Sequence, residues 1–336
     1  MNVQEFAKHW ANELGCREES ISGMRGGINN YVYRCNRGQS YWVIKGYPKQ
    51  RMSRDKRMKA EVEFLKYANE VAPRYVPALI AADDKHSCII LEYITGSRFM
   101  AGVTPAQEAV EDAVRFFEQL NRDFTTAQEN ISMDATEGFL SLTDHLANIQ
   151  KRLERIDHTL IPCGYRTMGK RLIEEMKSDY ERIWRETQSL INGGVVGDAM
   201  RREDRCVSPG DFGFHNAIWT EDGVKFFDFE FSGWDDPAKT MLDFALQPRV
   251  PVRQKDSPLG KCLSLGSNSL LVKRVEALRP ILSLKWQCIM MSVLSKEKLE
   301  SLMSRGTGES MEAIILKRIN DAVRFRNTTM MYSIPQ

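Results

Sequence analysis

The 336-residue sequence predicts a two-lobed α+β fold: a small β-rich N-terminal lobe over residues 1–93 and a larger, mainly helical C-terminal lobe over residues 94–336. Three observations carry that expectation. Residues 1–92 alternate helix-like and strand-like segments. From 104 onward the text is mainly helical, interrupted by one short β-like island at 205–231. The chain is also too long for one compact core and suits two packed units.

The elements follow in order. MNVQEFAKHWANELG has no continuous apolar stretch and no small-residue cleavage site, so it is read as a helix with Phe6, Trp10 and Leu14 on one face, and not as a secretory signal. GMRGGINNYVYRC and YWVIKGY have the β-branched and aromatic content of strands, with the turn-like NRGQS between them. SRDKRMKAEVEFLKYANE is an amphipathic helix with Met58, Val62, Leu65 and Tyr67 on its apolar side. VPALIAADDKHSCIILEYI holds a strand, a DDKH turn and a second, strongly apolar strand, after which Gly96 breaks the pattern.

Helices are expected in TPAQEAVEDAVRFFEQLNR, SLTDHLANIQKRLERI and KRLIEEMKSDYERIWRETQSLI. In RCVSPGDFGFHNAIWTEDGVKFFDFEF two apolar stretches flank TEDG, which predicts a hairpin and puts Asp228 at the end of a short, half-buried strand. PVRQKDSPLGKCLSLGSNS is expected to be a long mobile loop. Helices resume in LLVKRVEALRPILSLKWQCIMMSVL and ESMEAIILKRINDAVRFR.

Composition narrows the function classes. The 42% hydrophobic and 27% charged content is that of an ordinary globular protein. A net charge of +2 gives no support to nucleic-acid binding. The seven cysteines are scattered and never form C-x-x-C, which argues for free thiols in a reducing compartment and hence a cytoplasmic protein. No apolar run approaches the ~18 residues of a membrane span.

Five features then fall in one order. Gly23, Gly26 and Gly27 form a glycine-rich turn, Lys45 lies in the next strand, Glu61 on the following helix, Asp211 and Asn216 in D-x-x-x-x-N, and Asp228 in FFDFEF. Each suits phosphoryl transfer. Glycines let backbone N–H groups approach phosphate oxygens. A strand lysine brings a fixed positive charge, and a helix carboxylate holds it in place. One aspartate takes the proton of an attacking hydroxyl. An asparagine oxygen and a second aspartate offer the hard oxygen ligands that Mg²⁺ prefers.

GGINNYVYR, VIK, KAEVEFL, LEYITG, SPGDFGFHNAIW and FFDFEFSGWDDPAKTMLDFA carry a resemblance to the aminoglycoside phosphotransferase and choline kinase superfamily over residues 20–300. That resemblance implies a protein-kinase-like fold, in which the catalytic loop has the same D-x-x-x-x-N spacing. It implies Asp211 as catalytic base, Asn216 and Asp228 as metal ligands with Glu230 assisting, and Lys45 on the nucleotide phosphates, paired with Glu61. Gly26, Gly27 and Asn30 would shape the phosphate loop. Glu92, Tyr93 and Ile94 would form the hinge against the base of ATP or GTP.

The chain departs from the protein-kinase pattern in three places. Pro209 stands two positions before Asp211, Asp228-Phe229-Glu230 replaces Asp-Phe-Gly, and the Ala-Pro-Glu segment is missing. The expected activity is therefore Mg²⁺-dependent transfer from ATP or GTP to a hydroxyl of a small molecule such as a sugar, amino alcohol or related metabolite. Two alternatives stand beside it. A catalytically inactive kinase-like binding module would bind Mg²⁺-nucleotide without turnover, and a protein kinase would phosphorylate proteins but not metabolites. From Arg253 to Gln336 there are 14 Lys+Arg against 7 Asp+Glu, a balance that disfavours polycationic aminoglycosides and permits an anionic or neutral acceptor. His215 is expected to pack or hydrogen-bond, and Asp235, Asp236 and Asp243 to be structural.

Overall fold

The computed structural model describes residues 4–24, 30–48, 54–263, 269–303 and 310–330. Its N-terminal part contains α1 (Glu5–Glu13), β1 (Ser22–Gly23), β2 (Tyr31–Arg37), β3 (Ser40–Gly46), α2 (Arg54–Val71), β4 (Leu79–Asp83) and β5 (Cys88–Glu92). The strands form one antiparallel sheet in the order β1-β2-β3-β5-β4. Alternation along β2 turns Tyr33 and Cys35 to one face, where they meet Ala7 and Ala11 of α1 together with Phe6, Trp10 and Leu14. Gly46 is needed there: a Cβ would fall 2.2 Å from Phe6 Cζ.

α2 covers the other face of the sheet. Met58, Leu65 and Tyr67 are buried as their spacing predicts, but so are Phe64 and Glu61, the latter reaching Lys45 of β3. Phe64 and Tyr67 meet the rest of the molecule: the Phe64 ring lies 4.5 Å from Phe229 and 6.5 Å from Phe116, and Tyr67 Oη donates to the Leu120 carbonyl at 2.7 Å. One helix thus serves both the sheet and the segment that follows Asp228.

Beyond the sheet come β6 (Ser97–Arg98), α3 (Gln107–Leu120), α4 (Phe124–Asn130), α5 (Leu142–Glu154), α6 (Arg166–Asn192), β7 (Cys206–Ser208), β8 (Ala217–Thr220), β9 (Gly223–Phe226) and β10 (Gly233–Asp235). Helices α7 (Pro237–Leu246), α8 (Pro258–Leu263), α9 (Leu270–Met291), α10 (Lys296–Met303) and α11 (Met311–Met330) complete the described chain. α9 is the axis of this part. Val275, Leu278, Ile281, Leu282 and Met291 are buried among residues of α5, α6, α7 and α11. Among the described residues, no helix is long and apolar enough to cross a membrane.

The TEDG hairpin forms as β8–β9, with Thr220 opposite Gly223. Three features depart from expectation. α4 forms because Asp123 caps it, accepting from Thr125 N at 2.9 Å and Thr126 N at 3.2 Å. The segment expected as a long mobile loop instead carries α8, begun by Pro258 and anchored by fully buried Ser257 and Leu259, although 264–268 lie outside the described residues. And β9 ends at Phe226, so Asp228 is not on a strand: it sits in a loop with φ 71°.

Candidate active site

β3 points Ile44 at α1, so Lys45 faces the opposite side, and its side chain is 7% exposed. Lys45 Nζ donates to Glu61 Oε2 at 2.6 Å and to Asp228 Oδ1 at 2.5 Å. The Glu61 carboxylate is held in turn by Tyr47 Oη at 2.5 Å and by the Phe229 backbone N–H at 3.4 Å. Burial pulls the Lys45 ammonium down, but the charges of Asp228, Glu61 and Glu230 outweigh it and leave its pKa above the ordinary lysine value. A charged lysine is therefore fixed between the sheet, α2 and a segment 183 residues further along the chain.

The Asp211 loop is anchored on both sides. Gly210 has φ 84°, and a Cβ there would lie 2.5 Å from the Phe231 carbonyl carbon, so only glycine lets the loop pass. Phe212 and Phe214 are buried against Phe226 and Phe244. Between these anchors the Asp211 side chain stays 44% exposed. His215 Nε2 lies 3.1 Å from Asp211 Oδ2. Asn216 Nδ2 donates to the Asp211 carbonyl at 3.1 Å and to Oδ2 at 3.2 Å, an orientation that commits the amide nitrogen and leaves its oxygen for a ligand. Burial pushes the Asp211 carboxyl up, but the hydrogen bonds from His215 and Asn216 outweigh it and hold its pKa below the usual carboxylate value.

Asn216 also ties this loop to the next, because its carbonyl accepts from Phe227 N at 3.0 Å. Asp228 follows in a left-handed conformation that aspartate tolerates better than most residues. Its side chain is 40% exposed. Buried Phe229 pins the loop from behind.

Glu230 is 1% exposed, and its Oε2 accepts from Asn30 Nδ2 at 2.7 Å and Arg57 Nη1 at 3.1 Å. Glu230, expected to assist a metal, thus turns its Oε2 to an amide and an arginine. Asn30 is likewise turned to Glu230, which joins the end of the glycine-rich turn to the Asp228 segment. Gly26 and Gly27 lie outside the described residues.

Asn30, Lys45, Glu61, His215, Asn216 and Asp228 border a cleft of about 150 Å³ between the sheet and the helical part, and Asp211 adjoins it through His215 and Asn216. Its apolar walls include Val32, Val43, Leu91, Ile218 and Phe227. Glu92, Tyr93 and Ile94 line it where β5 leads out of the sheet. The Glu92 carboxylate accepts from Ala78 N and from Lys225 Nζ, both at 3.1 Å. A larger recess of about 620 Å³ opens between α3, α4 and α7, lined by Phe117, Phe124 and Trp234, and none of the predicted site residues reaches it.

Beneath the Asp211 loop lies a layer of buried charge. Lys285 Nζ meets Asp243 Oδ1 at 2.6 Å, Lys239 Nζ meets Asp235 Oδ2 at 2.6 Å, and Arg274 pairs with Asp236. Asp236 also caps α7, accepting from Ala238 N at 2.8 Å. Burial pushes the Asp243 carboxyl up, but Lys285 and then Lys239 hold it below its ordinary value.

Sequence reading missed Tyr47, Arg57, Arg98 and Arg249 as residues of the site. Only Tyr47 left a signal, lying two positions after Lys45 on the same side of the extended chain.

Comparison with known proteins agrees with this arrangement. Solved structures match over nearly the whole chain, three of them as follows. The first is a choline/ethanolamine kinase family protein from Mesorhizobium loti, 16% identical, TM-score 0.56, covering 95% of this chain and 94% of that one. The second is choline kinase from Cryptosporidium parvum, 12% identical, TM-score 0.56, covering 94% and 91%. The third is spectinomycin phosphotransferase in complex with ADP and spectinomycin, 9% identical, TM-score 0.57, covering 97% and 99%. At such identities the likeness is one of fold, and the fold is two-lobed and protein-kinase-like. Comparison of the sequence with curated proteins gives no match. The sequence profile of the phosphotransferase enzyme family matches residues 20–245, so the chain belongs to that family.

Proposed function

We propose that the protein transfers the γ-phosphoryl group of ATP or GTP to a hydroxyl of a small molecule, with Asp211 as the base. One observation carries this reading: Lys45, Glu61, Asp211, Asn216 and Asp228, whose first and last members are 183 residues apart, border or adjoin one cleft. The bound ADP named for the spectinomycin phosphotransferase structure supports an adenine nucleotide.

Chemically, the Asp211 carboxylate would accept the proton of the acceptor hydroxyl as that oxygen attacks phosphorus. His215 and Asn216 keep the carboxylate ionised and aimed. Lys45 would meet the phosphates with a charge that the sheet and Glu61 fix beforehand, so no reorganisation is needed during transfer. The valine, leucine and isoleucine walls suit a flat base. Residues Glu92, Tyr93 and Ile94 would offer backbone groups at its edge.

The donor set also fits Mg²⁺. Asp228 supplies a half-exposed carboxylate that already draws a cation, the Lys45 ammonium, to 2.5 Å, and Asn216 supplies an amide oxygen. Bound there, Mg²⁺ would neutralise phosphate charge. Glu230 is left out of this set.

A nucleotide-consumption screen over sugars, amino alcohols, nucleosides and aminoglycosides tests the reading. We expect acceptor-dependent release of nucleoside diphosphate that chelation with EDTA abolishes. Turnover that is unchanged in both Asp211→Ala and Asp228→Ala overturns it.

A further inference from the structure

We propose that the acceptor is an anion, a hydroxylated carboxylate or phosphate ester, held by Arg98 and Arg249. The proposal rests on the phosphotransferase reading of the cleft and adds the chemical class of its second substrate.

Both arginines line the same cavity as His215, Asn216 and Asp228. Arg98 lies on β6, opposite Ile218 of β8, with its guanidinium 5.4 Å from the centre of the Phe227 ring. That contact sets the Arg98 guanidinium against the residue just before Asp228. Arg249 comes from the turn after α7. There the buried Gln247 accepts from Val250 N at 2.9 Å, and its Cγ lies 3.5 Å from the point where a Cβ on Gly213 would sit. The turn that carries Arg249 therefore rests on the Asp211 loop. Gly102 N donates to the Arg249 carbonyl at 2.8 Å, which ties that turn to the chain just after β6.

Charge pairing decides the class. Both arginine residues are exposed, and among the described residues neither has an ion pair. The carboxylates of the cavity, by contrast, are already engaged. Glu61 and Asp228 pair with Lys45, and Glu92 pairs with Lys225. A cationic acceptor entering here meets carboxylates that are committed and two arginines that repel it. An anionic acceptor meets two planar forks suited to bidentate contact with carboxylate or phosphate oxygens. The nucleotide triphosphate is the other claimant, but Lys45 serves it from the sheet. Arg249 comes instead from the helical part, on the turn that rests against the Asp211 loop through Gln247 and Gly213.

One sugar scaffold in three charge states tests the proposal. Protein loaded with Mg²⁺ and AMP-PNP is titrated calorimetrically with glucose 6-phosphate, glucose and glucosamine. We expect the phosphate ester to bind at least about tenfold tighter than the other two, as one charge-assisted hydrogen bond supplies. Arg249→Ala and Arg98→Ala should each erase that preference, Arg249→Lys should restore part of it, and the AMP-PNP dissociation constant should move by less than the sugar's. Equal or tighter binding of glucose or glucosamine overturns the proposal. So does an absence of saturable glucose 6-phosphate binding, or a preference that survives in both alanine variants. Failure of AMP-PNP to bind contradicts the underlying phosphotransferase reading instead.

Discussion

Asp211 stays ionised because two neighbours donate to it, and each should leave a kinetic mark. Asp211→Ala should lower kcat by about 10²–10⁴-fold, the usual contribution of a positioned base, with little change in nucleotide KM. Steady-state phosphoryl transfer measures both. His215→Ala removes a hydrogen bond that holds the Asp211 pKa down and leaves burial, which raises it. The base is then protonated at a higher pH, so the acid limb of the kcat/KM profile should move upward relative to wild type. An unmoved limb would show that His215 only packs. At this scale the chemistry-bearing residues were legible because local text announces them: Pro209 and Gly210 shape the turn before Asp211, and flanking phenylalanines anchor Asp211 and Asp228. The partners of Glu230 were not legible. Asn30 and Arg57 lie 200 and 173 residues away from it, and no local pattern encodes which of many charged side chains will meet.

At the scale of elements, the contact between β3 and α2 is an electrostatic one. Glu61 is completely buried, and burial pushes its carboxyl up while Lys45 draws it back. Lys45→Met should therefore destabilise the fold by about 3 kcal/mol, because it strands a buried carboxylate. The double variant Lys45→Met with Glu61→Leu should recover most of that loss, since replacing both partners of a buried pair is far cheaper than removing one. Urea denaturation of the two variants distinguishes them, and equal losses would show that Glu61 is not what Lys45 stabilises. Periodicity revealed α2 and its apolar stripe, yet not the burial of Phe64 against Phe229 or of Glu61 between Lys45 and the Phe229 backbone. A helix buried on two sides has no single stripe to read. α4 and α8 escaped for another reason: they are short, with one cap or one proline as their only local signature.

For the whole molecule, the two-lobed arrangement was legible from the change of periodicity along the chain, and the order of motifs placed the cleft between the lobes. The joins were not legible. The Asn30–Glu230 and Lys45–Asp228 contacts and the packing of Phe64 on Phe229 are products of the tertiary fold. Because both parts contribute to one cleft, Mg²⁺ and ATP together should raise the melting temperature, and at about 100 times the dissociation constant they should add about 2.7 kcal/mol. ATP with EDTA should add much less; an equal gain in thermal denaturation would argue against the Asn216–Asp228 cation site. The most direct measurement follows the γ-phosphorus itself. Isotopically labelled ATP is incubated with Mg²⁺, the protein and the acceptor that the screen selects, and the products are separated. We expect the label on a hydroxyl of the acceptor with the wild-type protein, and its retention in ATP with Asp211→Ala at equal nucleotide occupancy. Label that reaches the acceptor at the wild-type rate in Asp211→Ala would contradict the assignment of this cleft as the place of transfer.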